Sequence, residues 1–175
     1  MRLLPMRAGL LSVDAYGQSI NNSVRGYYTN PFHTVSADSI GRLGFATGVG
    51  GGSAQNVPYT RGSLYFADVD AQIRAASSGR RKLDDILLPM FDRIRRGERV
   101  DQNDLVEALV NEIGPSARAQ FDSVIVQGKE IRPATSAFGP CFARRATRFK
   151  VQDREVDGYE WVRLPGASDD RCRAW

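Results

Sequence analysis

His33 is the only histidine in this chain of 175 residues, and that limits the chemistry the chain can do. A catalytic zinc needs three protein ligands with a fourth position left open, and around a lone loop histidine two further ligands cannot be named. The same shortage removes Ser-His-Asp and Cys-His arrangements, in which an imidazole takes the proton of the nucleophile. His33 therefore reads as a surface or hydrogen-bonded structural residue. Asp68 and Asp70 stand two positions apart in a helical stretch, a spacing that turns them to different faces. They do not form a paired-carboxylate acid–base device; one of them can cap a helix or pair with an arginine.

Cys141 and Cys172 lack C-x-x-C spacing and a nearby histidine, which makes them poor metal ligands. Two readings stay open, a single bridge or two free thiols. A bridge would close a loop of about 30 residues, stabilise by roughly 3 kcal/mol and suit a periplasmic or secreted protein. Gly48-Val49-Gly50-Gly51-Gly52-Ser53 reads as a flexible loop. It is no phosphate cradle, because no strand feeds it and no Gly-Lys-Ser/Thr follows.

The net charge of +4 is carried mostly by arginine, at Arg80-Arg81-Lys82, over 93–99, and at Arg144-Arg145 with Arg148 and Lys150. Asp84, Asp85, Asp92, Glu98 and Asp101 interleave with these clusters and cancel the field that would steer a phosphate backbone, so nucleic acid is not an expected partner. Nor is a membrane, since no apolar run approaches the roughly 18 residues needed for a span. The first ten residues carry charge and leucines but no apolar h-region or cleavage site, and are not read as a signal peptide.

The elements that hold these residues can be read from periodicity. Ser12 caps a helix through Tyr16, Ile20, Val24 and Tyr27 that stops at Asn30-Pro31. A weaker helix spans 36–45. Pro58 opens a central buried helix ending before Gly79. Leu83, Ile86, Leu87, Met90, Phe91 and Ile94 mark the next, with a kink expected at Pro89. Asp101 caps a helix closed by Gly114-Pro115, and 117–126 forms another that stops at Gly128. Beyond it, 149–152 and 159–164 alternate like strands, and Asp157-Gly158 signals the hairpin turn. The expected fold is mainly α: a helical body over 1–128, and an irregular tail with a β-hairpin over 129–175.

Several motifs in order resemble one family. Arg7-Ala8-Gly9-Leu10-Leu11-Ser12, then Tyr16 and Tyr27-Tyr28-Thr29-Asn30-Pro31, then Pro58-Tyr59-Thr60-Arg61-Gly62, then Leu83-Asp84-Asp85-Ile86-Leu87 resemble the C-terminal half of the catalytic domain of glycyl aminopeptidase family zinc peptidases, distant relatives of aminopeptidase N and thermolysin. The resemblance implies the bundle-like C-terminal lobe of a thermolysin-like peptidase. It assigns Tyr59 the transition-state role of the family's Tyr-x-Lys/Arg-Gly motif, a phenolic hydroxyl donating to the oxyanion of the tetrahedral intermediate. The family's H-E-x-x-H helix, which carries two zinc ligands and the general base, has no counterpart here. The expectation is therefore a fragment with no cofactor of its own, inactive alone, whose intact parent holds zinc and acts on peptides. The alternative is a stand-alone helical interaction module. Lys82 departs from the family's capping Ser or Thr, so that cap must come from another residue. Without the zinc-bearing helices, apolar surface around Leu10, Leu11 and Tyr16 should drive self-association into a homo-oligomer.

Overall fold

The computed structural model describes residues 3–45 and 51–175. It is mainly α. In chain order come α1 (Leu3–Arg7), α2 (Val13–Tyr28), α3 (Ala37–Phe45), α4 (Gly51–Gln55), α5 (Val57–Ala76), α6 (Asp84–Arg95), α7 (Gln102–Ile113) and α8 (Ser116–Phe121), followed by a π-helical turn (Asp122–Val126). An antiparallel hairpin of β1 (Phe142–Val151) and β2 (Arg154–Arg163) precedes a last short helix, α9 (Asp169–Arg173). Among the described residues no helix is long and apolar enough to cross a membrane. Of the glycine-rich stretch, 48–50 lies outside the described residues, while Gly51 opens α4 where a loop was expected.

The boundaries follow from capping. The Ser12 side chain accepts from the Ala15 amide and starts α2. Asp101 and Asp104 form a reciprocal capping box on α7, which satisfies two orphan amides at once. Gly79, Gly97, Gly114 and Gly128 take positive φ just past helical ends, the conformation that stops a helix without a Cβ penalty. The missing cap at Lys82 is supplied from two sides. Asp85 accepts from the Lys82 amide at 2.9 Å, and Asp70 from the Leu83 amide at 2.7 Å.

One apolar cluster joins the helical body to the hairpin. Val13, Tyr16, Ile20, Val24, Tyr27 and Tyr28 of α2 pack with Leu64, Val69 and Ile73 of α5, and with Phe142, Phe149 and Trp161 of the hairpin. Asn21 fastens the hairpin to α2. Its amide donates to the Trp161 carbonyl at 3.0 Å, and its carbonyl accepts from the Trp161 amide at 2.8 Å, pairing the free edge of β2 as a further strand would. Tyr16 is fully buried, edge-on to Phe142, so it cannot contribute to the uncovered apolar surface expected of it; of that trio only Leu10, at 83% exposure, stands well out.

One further expectation is corrected. The hairpin turns at Gln152-Asp153, with Gln152 at φ +53°, while Asp157 and Gly158 lie inside β2 opposite Arg148 and Thr147. Gly158 answers to packing, not turning: a Cβ there would sit 2.8 Å from the Phe149 ring and 2.9 Å from the Tyr28 ring. α6 includes Pro89 within its span, and its Phe91 and Ile94 are 53% and 52% exposed.

The cysteines are bridged. Cys141 and Cys172 are both buried, with Cα atoms 5.5 Å apart, inside the range a disulfide spans, so the bridge ties α9 to the start of the hairpin. At a sequence separation of 31, reduction should cost about 3.5 kcal/mol by loop entropy, read as a lower urea midpoint in reductant. An unmoved midpoint would show that the bridge constrains nothing.

Candidate functional site

The first turn of α5 sorts three motif residues by direction. Pro58 occupies a position where its missing amide hydrogen leaves no helical bond unmade. Tyr59, next in sequence, is 77% exposed. Arg61, two positions further and so on nearly the opposite side of the helix, is 2% exposed. Its Nη2 donates to the His33 carbonyl at 2.9 Å and to the Val35 carbonyl at 2.6 Å. Burial lowers the pKa of this guanidinium, and the neighbouring Tyr27 hydroxyl opposes the shift. Arg61 thus anchors the 30–36 segment under the helix start and leaves the phenol of Tyr59 facing outward.

Beside that turn lies an apolar groove of about 580 Å³. Pro58, Gly62 and Phe66 line it at intervals of four along α5, facing Ile40 of α3, Phe91 and Ile94 of α6, and Leu105 of α7. A Cβ on Gly62 would meet nothing within 4 Å, so the floor at that point is open. Tyr65, also on the groove wall, has a buried hydroxyl without a hydrogen-bond partner, and burial, with the Asp68 charge adding, pushes its pKa up to about 12. The hydroxyl therefore stays protonated and is a donor wherever it finds an acceptor. Phe91 and Ile94, read from the sequence as markers of a helix, stand exposed on this wall; helical spacing alone does not tell a buried stripe from a groove wall.

The other singled-out residues are structural. His33 stacks edge-on to Tyr27, with Nδ1 2.7 Å from the Asn30 carbonyl and Nε2 3.2 Å from Glu130 Oε2. Both ring nitrogens are thus engaged. Asp68 and Asp70 do not meet as a pair. Asp70 binds Arg74 at 2.7 Å and caps α6, while Asp68, 7% exposed, accepts from the Gln72 and Gln120 amides and from the Ala134 backbone amide. Among the described residues no group of three or more His, Cys, Asp or Glu is placed to hold a metal ion.

Tyr59 is thus exposed at the surface, next to Pro58, which lines a groove that sequence reasoning did not foresee. Compared with models of known protein families and with curated proteins, the chain matches none.

Proposed function

We propose that the chain is the C-terminal lobe of a glycyl aminopeptidase-type zinc peptidase, thermolysin-like in fold, in which it forms one wall of the substrate cleft and presents Tyr59 to the oxyanion. The observation that carries the reading is the opposed placement of Tyr59 and Arg61: the arginine holds the 30–36 segment, and the phenol is left exposed at the helix start, next to Pro58 on the rim of an apolar groove. A phenol protonated at neutral pH donates to developing negative charge without adding a competing anion. The groove would take apolar side chains of a peptide. Metal and general base belong, in this reading, to a part of the peptidase outside these residues, and the chain alone is inert. The buried disulfide supports an oxidising compartment, periplasmic or extracellular. Exposed Leu4, Leu10, Phe91 and Ile94 supply the apolar surface through which the isolated chain self-associates.

In the intact peptidase, Tyr59→Phe should lower kcat roughly 100-fold with KM nearly unchanged, because the hydroxyl acts in the transition state. The unfolding transition should stay in place, since the exposed ring gives up no core contact. An unchanged kcat would overturn the role of Tyr59. A native protein with an intact mass of 19.3 kDa would overturn the fragment reading in favour of an interaction module.

A further inference from the structure

At the start of α6, a second concavity has the opposite character to the apolar groove. Arg7 from the end of α1, Arg74 from α5, Arg80, Arg81 and Lys82 from the α5–α6 connection and Arg173 from α9 surround a space of about 460 Å³, and one carboxylate, Asp85, shares the wall. Three of the six cations have carboxylate partners within 3.3 Å: Arg74 on Asp70, Arg81 on Glu112 and Lys82 on Asp84. The other three are under-compensated. Arg7 makes no hydrogen bond or ion pair with the described residues, and its Nε is buried without a partner. Arg173 also has a buried, unpartnered Nε and reaches Asp169 only at 3.5 Å. Arg80 donates to the Ser77 carbonyl and to no carboxylate.

The fold holds these charges together by means other than ion pairing. The Trp175 ring lies 5.4 Å from the Arg7 guanidinium and 4.8 Å from that of Arg74, so its π face fixes both planar groups without using their N–H donors. The disulfide at Cys172 fixes Arg173, the next residue, against the same space. Gathering like charges in a concavity costs free energy, and leaving buried guanidinium nitrogens unpaired costs more. The like-charge cost is relieved by one chemistry, a compact anion with several acceptor oxygens, which guanidinium Nη groups match in bidentate fashion.

We propose that this cavity binds a phosphate-type dianion, either free phosphate or a phosphate monoester, through Arg7, Arg80 and Arg173. Arg7, Arg74 and Trp175 also line an adjoining apolar chamber of about 270 Å³ with Leu3, Phe66 and Phe138, which gives an organic body on the phosphate a place to lie. The site is independent of Tyr59 and of the peptidase reading.

The test is a titration of the oxidised 175-residue chain with inorganic phosphate and with phenyl phosphate at constant ionic strength, followed by tryptophan fluorescence and by the unfolding temperature. Trp161 is buried in the core, so Trp175 is the reporter. Saturable changes with either ligand, absent with chloride, are expected. Arg7→Gln and Arg80→Gln should each weaken binding at least about tenfold, while Arg95→Gln, in the cluster beside Asp92, leaves it unchanged. Tighter binding of phenyl phosphate assigns the site to a monoester, and equal binding to the free ion. No saturation with either ligand, or equal weakening by Arg95→Gln, would overturn the proposal, the latter by reducing it to net charge.

Discussion

Gly128→Ala should destabilise the chain by about 4 kcal/mol or more, among the largest effects open to a single methyl group. The residue sits at φ +79°, where an alanine is strained by roughly 1–2 kcal/mol before any contact is considered. The added Cβ would then lie 2.3 Å from the Val35 carbonyl oxygen, 2.6 Å from its carbon and 3.0 Å from the Ser36 nitrogen. These are backbone atoms and cannot swing aside. The same Val35 oxygen accepts from Arg61, so the clash falls on the bond that anchors the segment under Tyr59. Gly114→Ala separates the two causes. It stands at φ +92° with nothing within 4 Å, and should cost only the backbone term, about 1–2 kcal/mol. Urea unfolding of both variants checks the ranking; equal midpoints would show that the approach of Gly128 to Val35 carries no energy.

Asp68→Ala is expected to cost about 3 kcal/mol, because it strands donors and leaves a buried void. Gln72 and Gln120 Nε2 approach one carboxylate oxygen at 2.9 and 2.8 Å, and the Ala134 amide approaches the other at 2.6 Å. Asp68 thereby joins α5 to α8 and to the irregular segment before the hairpin. For a chain of this size, a loss of 3 kcal/mol lowers the unfolding temperature by about 6–12 °C. Asp68→Asn should fall between wild type and alanine, since it keeps one acceptor oxygen but turns an NH₂ toward existing donors. A drop of less than about 2 °C for Asp68→Ala would show that the network has no net stabilising value.

Both residues bear on the site as well as on stability. Gly128 and Arg61 hold the 33–36 segment from two sides, and Asp68, on the buried side of α5, holds the helix that carries Tyr59.

Much of the fold was legible in the residue order because its cues are local. Ser12 and Asp101 cap, Pro58 opens and Gly79, Gly97, Gly114 and Gly128 close helices through bonds and dihedrals within one turn, so α2, α5, α6 and α7 could be placed from their own residues. The bridging of Cys141 and Cys172 was half legible: the absence of metal-ligand spacing left two readings, and the 5.5 Å approach of their Cα atoms selects one. What depended on distant partners was not legible. Gly158 looked like a turn residue, yet the ring of Tyr28, 130 positions away, requires its missing side chain. Tyr16 looked uncovered until Phe142 closed over it, and nothing in the spacing of Phe91 and Ile94 announced the groove they line. Charge behaved likewise. The arginines at 7, 74, 80 and 173 belong to separate stretches of sequence, and they become one basic cavity only because α1, α5 and α9 meet around Trp175. Periodicity and capping act over about four residues, whereas burial, close approach and charge summation depend on atoms that the chain brings together only on folding.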